Sequence, residues 1–371
     1  MKRIFIFVIV FLLFTPTVYA DETEEVYDSL YKGSEISHLE DSIDEETKDI
    51  LERLGVDLSD YTSFFEADAN SYINVVLSFL KSGMKKPFST MALGFGVILI
   101  CSAFGGMLGS RLQVSDTYNY ICTLSLLAVV LTPLMNSVAA GISAIKSVGA
   151  FMLSFIPIYS GLIIAGGGIA TGTIYQSVML IFCELVTEGL SFVVSPLISA
   201  YVCIGVASSV SGIEGAYMIA LRIKSVANWI IGFIMTLFSG FLSIQSVVSR
   251  AADSITMKTA RFFVGSFIPV VGTSLGEALT TVTAGVGLLK ASAMSWCIVV
   301  LAIILLPLVI ELLLWRIVMF ILSSLAITLN IPDSARLFDT VSAGVGFLVA
   351  IMLSVAVMFI LSLVIVKVGA A

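Results

Sequence analysis

The feature that most constrains this chain is a succession of apolar runs, each about as long as a bilayer is thick. A helix needs roughly 20 apolar residues to cross the hydrocarbon core of a membrane. The body of the sequence supplies Met91 to Leu108, Tyr118 to Val138, Phe151 to Ala170, Ile174 to Val210, Trp229 to Val248, Phe262 to Leu289, Trp296 to Trp315 (continuing to Ile327) and Val341 to Val366. The expected fold class is therefore all-α, a polytopic helical membrane protein with about eight spans. Ile213 to Lys224 is less apolar and suits the interface. Composition agrees: 58% of residues are hydrophobic and 12% charged, against roughly a quarter charged in soluble domains. The surplus apolar area must face lipid.

The first 20 residues differ from these runs. Met1-Lys2-Arg3 precedes a short apolar core, Ile4 to Phe14, and Val18 and Ala20 are small residues placed for cleavage after Ala20. This is the pattern of a signal peptide (1–20) rather than of a span. The next stretch (21–87) is acidic: Asp21, Glu22, Glu24, Glu25 and Asp28 open it, Asp44, Glu45, Glu46, Asp49 and Glu52 continue it, and its early bases are Lys32, Lys48 and Arg53. An exported, acidic, extracytoplasmic segment is expected, with a short amphipathic helix over Ile43 to Leu54. A second helix over Ser71 to Leu80 is expected to end at Gly83 and Pro87. Acidic surfaces disfavour nucleic acid, so no nucleic acid is expected among the partners. The membrane domain follows (88–371).

Inside that domain a pattern recurs. Ser137 to Lys146, Phe151 and Ser154-Phe155-Ile156-Pro157 reappear, with the same offsets, as Ser249 to Lys258, Phe263 and Ser266-Phe267-Ile268-Pro269. Pro196-Leu197 and Pro307-Leu308 match after a one-residue shift. The expectation is an internal duplication with copies near 118–210 and 229–322, each holding a Pro-broken or re-entrant segment. Such duplicated halves build many transporters and pores. A proline removes a backbone hydrogen bond, and the freed carbonyl finds buried protein or water instead. Pro157 and Pro269 are thus candidates for an internal vestibule, or for kinks that serve packing. The basic linkers Arg222/Lys224 and Arg250/Lys258/Arg261 flank a single span, so charge alone does not fix orientation.

The chemistry of an enzyme is not found in the residues. His38 is the one histidine and falls in the acidic segment, which leaves no Ser-His or Cys-His scheme in the membrane body and no metal cluster. No phosphate-binding glycine loop occurs. The apolar runs as delimited above contain no aspartate for an intramembrane protease. The five cysteines (Cys101, Cys122, Cys183, Cys203, Cys297) lie in apolar stretches without a CxxC pair and read as packing residues. The expectation is a non-catalytic protein with no cofactor and no metal.

Charges inside apolar runs carry the remaining information. Glu184 and Glu188 are four apart and so share a helix face; Glu277, Glu311 and Arg316 follow downstream. A charge at bilayer depth costs several kcal/mol and normally faces protein or water. Two readings stand side by side: a lining for a hydrated pathway, or ion pairs across helices and interfacial positions, for instance a glutamate with Arg316.

Ile156-Pro157-Ile158-Tyr159-Ser160-Gly161, Ser211-Gly212-Ile213-Glu214 and above all Thr259 to Gly272 (TARFFVGSFIPVVG) make the chain resemble the stage III sporulation protein AE family of endospore-forming bacteria. The resemblance implies a component of the mother-cell complex that bridges, with a forespore partner, the two membranes around the engulfed forespore. It implies an ATPase, ring-forming proteins and small membrane proteins as partners, an oligomeric assembly, and residence in the mother-cell membrane with the N-terminal segment outside the cytoplasm. It carries no catalytic residues. A stand-alone secondary transporter of a small solute is the alternative that the repeats and the membrane glutamates suggest.

Overall fold

The computed structural model of the chain describes Tyr31, Leu39, residues 42–57, Ser63, and residues 69–108, 112–267 and 272–368. The expected signal peptide, His38 and Pro269 lie outside them. Helices follow one another: α1 (Glu45–Leu54), α2 (Ala69–Leu108), α3 (Leu112–Ala165), α4 (Ile169–Glu184), α5 (Leu190–Ser211), α6 (Glu214–Phe267), α7 (Gly272–Thr328) and α8 (Pro332–Val368). A five-residue π-turn, Leu185–Gly189, joins α4 to α5 without a break.

α1 is the amphipathic helix expected from Ile43 to Leu54. Thr47, Ile50, Leu51 and Leu54 form its buried face, with acids in its first turn and Arg53 in its last, as the helix dipole favours. Gly55, at φ 69°, closes it by donating back to the last turn, a left-handed cap that glycine adopts without strain. The Arg53–Asp49 pair at 2.6 Å is exposed and contributes little to stability. α1 lies against α2 and α7.

α8 is the hub and packs on α7, α5, α3 and α6. Its buried Leu337, Phe338, Leu348, Met352, Phe359 and Leu363 meet the aromatic spine of the neighbouring helices. That spine runs Trp296–Phe151 (5.7 Å between ring centroids), Phe151–Phe155 (6.0 Å), Phe155–Tyr159 (5.2 Å) and Tyr159–Tyr175 (5.8 Å). Such rings contribute both area and orientation to a core. α2 and α6 lie at the periphery: Leu93, Ile100 and Phe104 on α2 and Trp229, Phe233, Leu237, Phe241 and Ile244 on α6 are exposed. Exposed apolar faces of this kind suit acyl chains.

Among the described residues six helices are long and apolar enough to cross a membrane: Asn70–Gly105, Thr117–Ala165, Ile169–Gly189, Gly215–Thr256, Val282–Thr328 and Pro332–Val366. The expected count of about eight spans is not confirmed. Tyr118 to Val138 and the part of Phe151 to Ala170 up to Ala165 fall within α3, which is helical from end to end. The part of Phe262 to Leu289 from Gly272 onward and Trp296 to Trp315 likewise run into one another in α7. Nor does the second expected helix end at Gly83 and Pro87, since α2 passes through both. The expected Pro-broken segment at Pro157 is not seen either: Pro157 sits inside continuous helix, as do Pro133, Pro196 and Pro307. One missing N–H costs a single ladder bond, while close packing on neighbouring helices holds the flanking turns. The helices stop where the backbone leaves the right-handed region, at Gly167 (φ 90°), Gly212 (φ 70°) and Asn330 (φ 60°).

Candidate functional site

The turn between α3 and α4 is the most ordered polar feature. Gly166, Gly167 and Gly168 reverse the chain, and the N-cap position of α4, Gly168, offers no side-chain oxygen. Asp253 of α6 supplies it. Its carboxylate accepts from Ala170 N (2.7 Å), Thr171 N (3.0 Å) and Thr171 Oγ1, so an anion from another helix satisfies the free N–H groups at the positive end of α4. On the other side of the turn, a β-carbon at Gly166 would come within 3.3 Å of Lys290 Nζ, which places the ammonium of α7 at the carbonyl end of α3. Each dipole end therefore meets the complementary charge. The glycines serve close approach, and the clamp itself was not anticipated. The available signal was in the repeat: Asp253 stands where the first copy has Gly141. That glycine is needed, because a β-carbon there would lie 2.7 Å from Leu348.

Glu184 and Glu188 share a face, and that face points outward. Both are exposed, beside Ile181 (68% exposed) and Phe192 (80%). Glu184 precedes the π-turn and Glu188 lies within it, while Thr187 of the same turn is pressed against α3, so close to Gly149 that a β-carbon there would sit 1.7 Å from Thr187 Cγ2. Cys183 Sγ donates to Gly149 O (3.2 Å), and Thr187 Oγ1 donates to Cys183 O (2.8 Å). The wider π-turn lets a threonine, which would otherwise crowd, seat over a glycine; such bulges recur at functional positions.

The other charges are scattered. Glu311 is half-buried beside the backbone of Gly83, and Trp315 Nε1 donates to its Oε1 (3.5 Å). It borders a cleft of about 430 Å³ with Lys85, Lys86, Asn136 and Ser137. Arg316 is exposed, with its guanidinium over Gly346 of α8. Among the described residues no ion pair joins Glu184, Glu188, Glu311 or Arg316 to one another. Glu277 lies in α7, its side chain outside the described residues. Pro157 is exposed on α3. The structure thus brings together only Glu184 and Glu188. Three aspartates fall within the long apolar helices, outside the runs delimited from sequence: Asp253, Asp333, and Asp339, which accepts from Ser323 Oγ (2.8 Å). Among the described residues no cluster of metal-ligating side chains occurs.

These features define an all-helical protein with six helices long and apolar enough to span a bilayer. The chain belongs to the stage III sporulation protein AE family, whose model matches residues 67–370. It is similar to the stage III sporulation protein AE of Bacillus subtilis (strain 168), 30% identical over 149 residues. That stretch is 40% of this chain and 37% of the relative, so the chain matches well under half of the relative's length. No solved structure matches.

Proposed function

We propose that the chain is the membrane component of a mother cell-to-forespore channel complex required for late forespore development, acting by assembly rather than by catalysis. Membership of a sporulation family supports the sporulation role. The observation that carries the assembly reading is the outward placement of Glu184 and Glu188 on an otherwise apolar helix face. Carboxylates on a membrane-spanning helix need protein or water around them. A stand-alone transporter would hold its charged side chains around a central site near the midplane, and this pair does not do so. The partners of this reading are a sporulation ATPase, ring-forming proteins, small membrane proteins and a forespore protein, in the mother-cell membrane, with the acidic N-terminal segment outside the cytoplasm.

Purification of the tagged full chain from sporulating cells tests this reading. Recovery of an ATPase and ring-forming proteins in one large particle is the expected result. A particle containing this chain alone would overturn the proposed complex and make solute flux the next assay.

A further inference from the structure

α2, α3 and α7 pack on one another and leave a cleft of about 430 Å³ between them, a size that suits a small ligand. Lys85 and Lys86 line it from α2, Asn136 from α3, and Glu311 and Trp315 from α7. The two lysines and Asn136 are exposed, Glu311 is half-buried and Trp315 is buried. α7 therefore forms the floor, and α2 and α3 form the rims.

The cleft holds charge of both signs without closing it into a pair. Among the described residues neither lysine forms an ion pair with Glu311. The one bond to the Glu311 carboxylate is the long contact from Trp315 Nε1, 3.5 Å to Oε1, so Oε2 has no partner there. Thr90, Thr132 and Ser137 add hydroxyls to the lining. Elsewhere on these two helices Ser78, Ser82 and Ser125 donate back to their own helix carbonyls; the three hydroxyls of the cleft do not, and Asn136 has no side-chain partner among the described residues either. The polar groups are thus free to meet a ligand. A lysine offers only donors and an ionised carboxylate only acceptors. A simple anion would satisfy the lysines and be repelled by Glu311; a simple cation would do the reverse. The complementary ligand carries an anionic group and, a few bonds away, an ammonium.

The surroundings favour a lipid over a free solute as the source of that zwitterion. Met84 and Phe88 on α2, and Leu131 and Met135 on α3, adjoin the lining positions and are exposed. All four stand on helices apolar enough to cross a membrane, so acyl chains have a surface beside the cleft. We propose that the cleft binds the headgroup of a phosphoethanolamine lipid, with its phosphate on Lys85 and Lys86 and its ammonium on Glu311. Both contacts are charge-assisted hydrogen bonds. The inference goes beyond the proposed complex, because it concerns the purified chain and needs no other protein.

The test titrates the purified full chain in detergent with short-chain lipids and counts bound molecules by native mass spectrometry. Dihexanoyl phosphatidylethanolamine is expected to bind about tenfold or more tightly than dihexanoyl phosphatidylglycerol, which keeps the phosphate and lacks the ammonium. It should also bind more tightly than free phosphoethanolamine, which lacks the chains. Glu311→Gln should remove the preference between the two lipids and leave phosphatidylglycerol binding no weaker, which also shows that the variant is folded. Lys85→Gln with Lys86→Gln should weaken both lipids about tenfold. Equal binding of the two lipids by the natural chain, or a preference that survives Glu311→Gln, would overturn the proposal. Free phosphoethanolamine binding as tightly as the lipid would overturn the lipid as the ligand, and unchanged binding by the double lysine variant would remove the phosphate contact.

Discussion

At the scale of single residues, two predictions follow from close approaches. Gly149→Ala brings a methyl group into Thr187 Cγ2, and overpacking of this kind costs about 1–3 kcal/mol. Thr187→Ser removes that carbon and keeps the hydroxyl that donates to Cys183 O. The double variant should therefore recover most of the thermal stability lost by Gly149→Ala in detergent. A double variant no more stable than the single one would show that the π-turn does not depend on this pair. At the α3–α4 turn, Asp253→Ala leaves the N–H groups of Ala170 and Thr171 without their acceptor, a loss of about 1–3 kcal/mol. Asp253→Asn retains one acceptor oxygen and should fall between. Both are read by the midpoint of thermal unfolding, and equal midpoints for all three chains would count against the clamp. The Glu184 and Glu188 pair was legible from spacing alone, because four residues apart is a property of any helix. Which way the pair faces was not, because it depends on the contact of Thr187 with Gly149, residues far apart in sequence. Asp253 was passed over as part of a basic linker, although its departure from Gly141 in the repeat marked a different duty.

At the scale of elements, helix existence was legible and helix ends were less so. The apolar runs and the α1 periodicity lead directly to observed helices. Prolines were read as breaks, yet α2, α3, α5 and α7 pass through Pro87, Pro133, Pro157, Pro196 and Pro307. A proline removes one donor from a ladder, and a long packed helix loses only that bond. The reliable end signals were residues that adopt positive φ, as at Gly167, Gly212 and Asn330. α1 depends on its apolar face alone, since its one ion pair is exposed. Ile50→Asp with Leu51→Asp should therefore release it from α2 and α7, which limited proteolysis reports as faster cleavage near residues 42–57. Unchanged cleavage would mean that α1 is held by something other than the face Ile50 and Leu51 present.

At the scale of the whole molecule, the number of crossings decides where every loop lies. α3 contains an apolar stretch of 49 residues, Thr117–Ala165, which at 1.5 Å per residue extends roughly 70 Å, more than twice the thickness of the hydrocarbon core. Sequence alone divides it into two spans around Lys146, because a lysine between two apolar runs reads as a loop. The structure keeps it as one rod, with Lys146 on an outward face and buried Val148, Phe151 and Met152 immediately beyond it. The two arrangements place the ends of α3 differently. One rod puts Thr117 and Gly167 on opposite sides of the membrane; two spans with a loop between them put both on the same side. Single cysteines introduced at these positions, Thr117→Cys and Gly167→Cys, in a chain lacking its own five cysteines, separate them by labelling with a thiol reagent that does not cross lipid. Opposite sidedness is the expected outcome: one position reacts in intact cells and the other only after the membrane is opened. It would make the parity of every later loop follow from six crossings. Reaction of both from the same side would require a turn within α3, and the parity of every later loop would change with it.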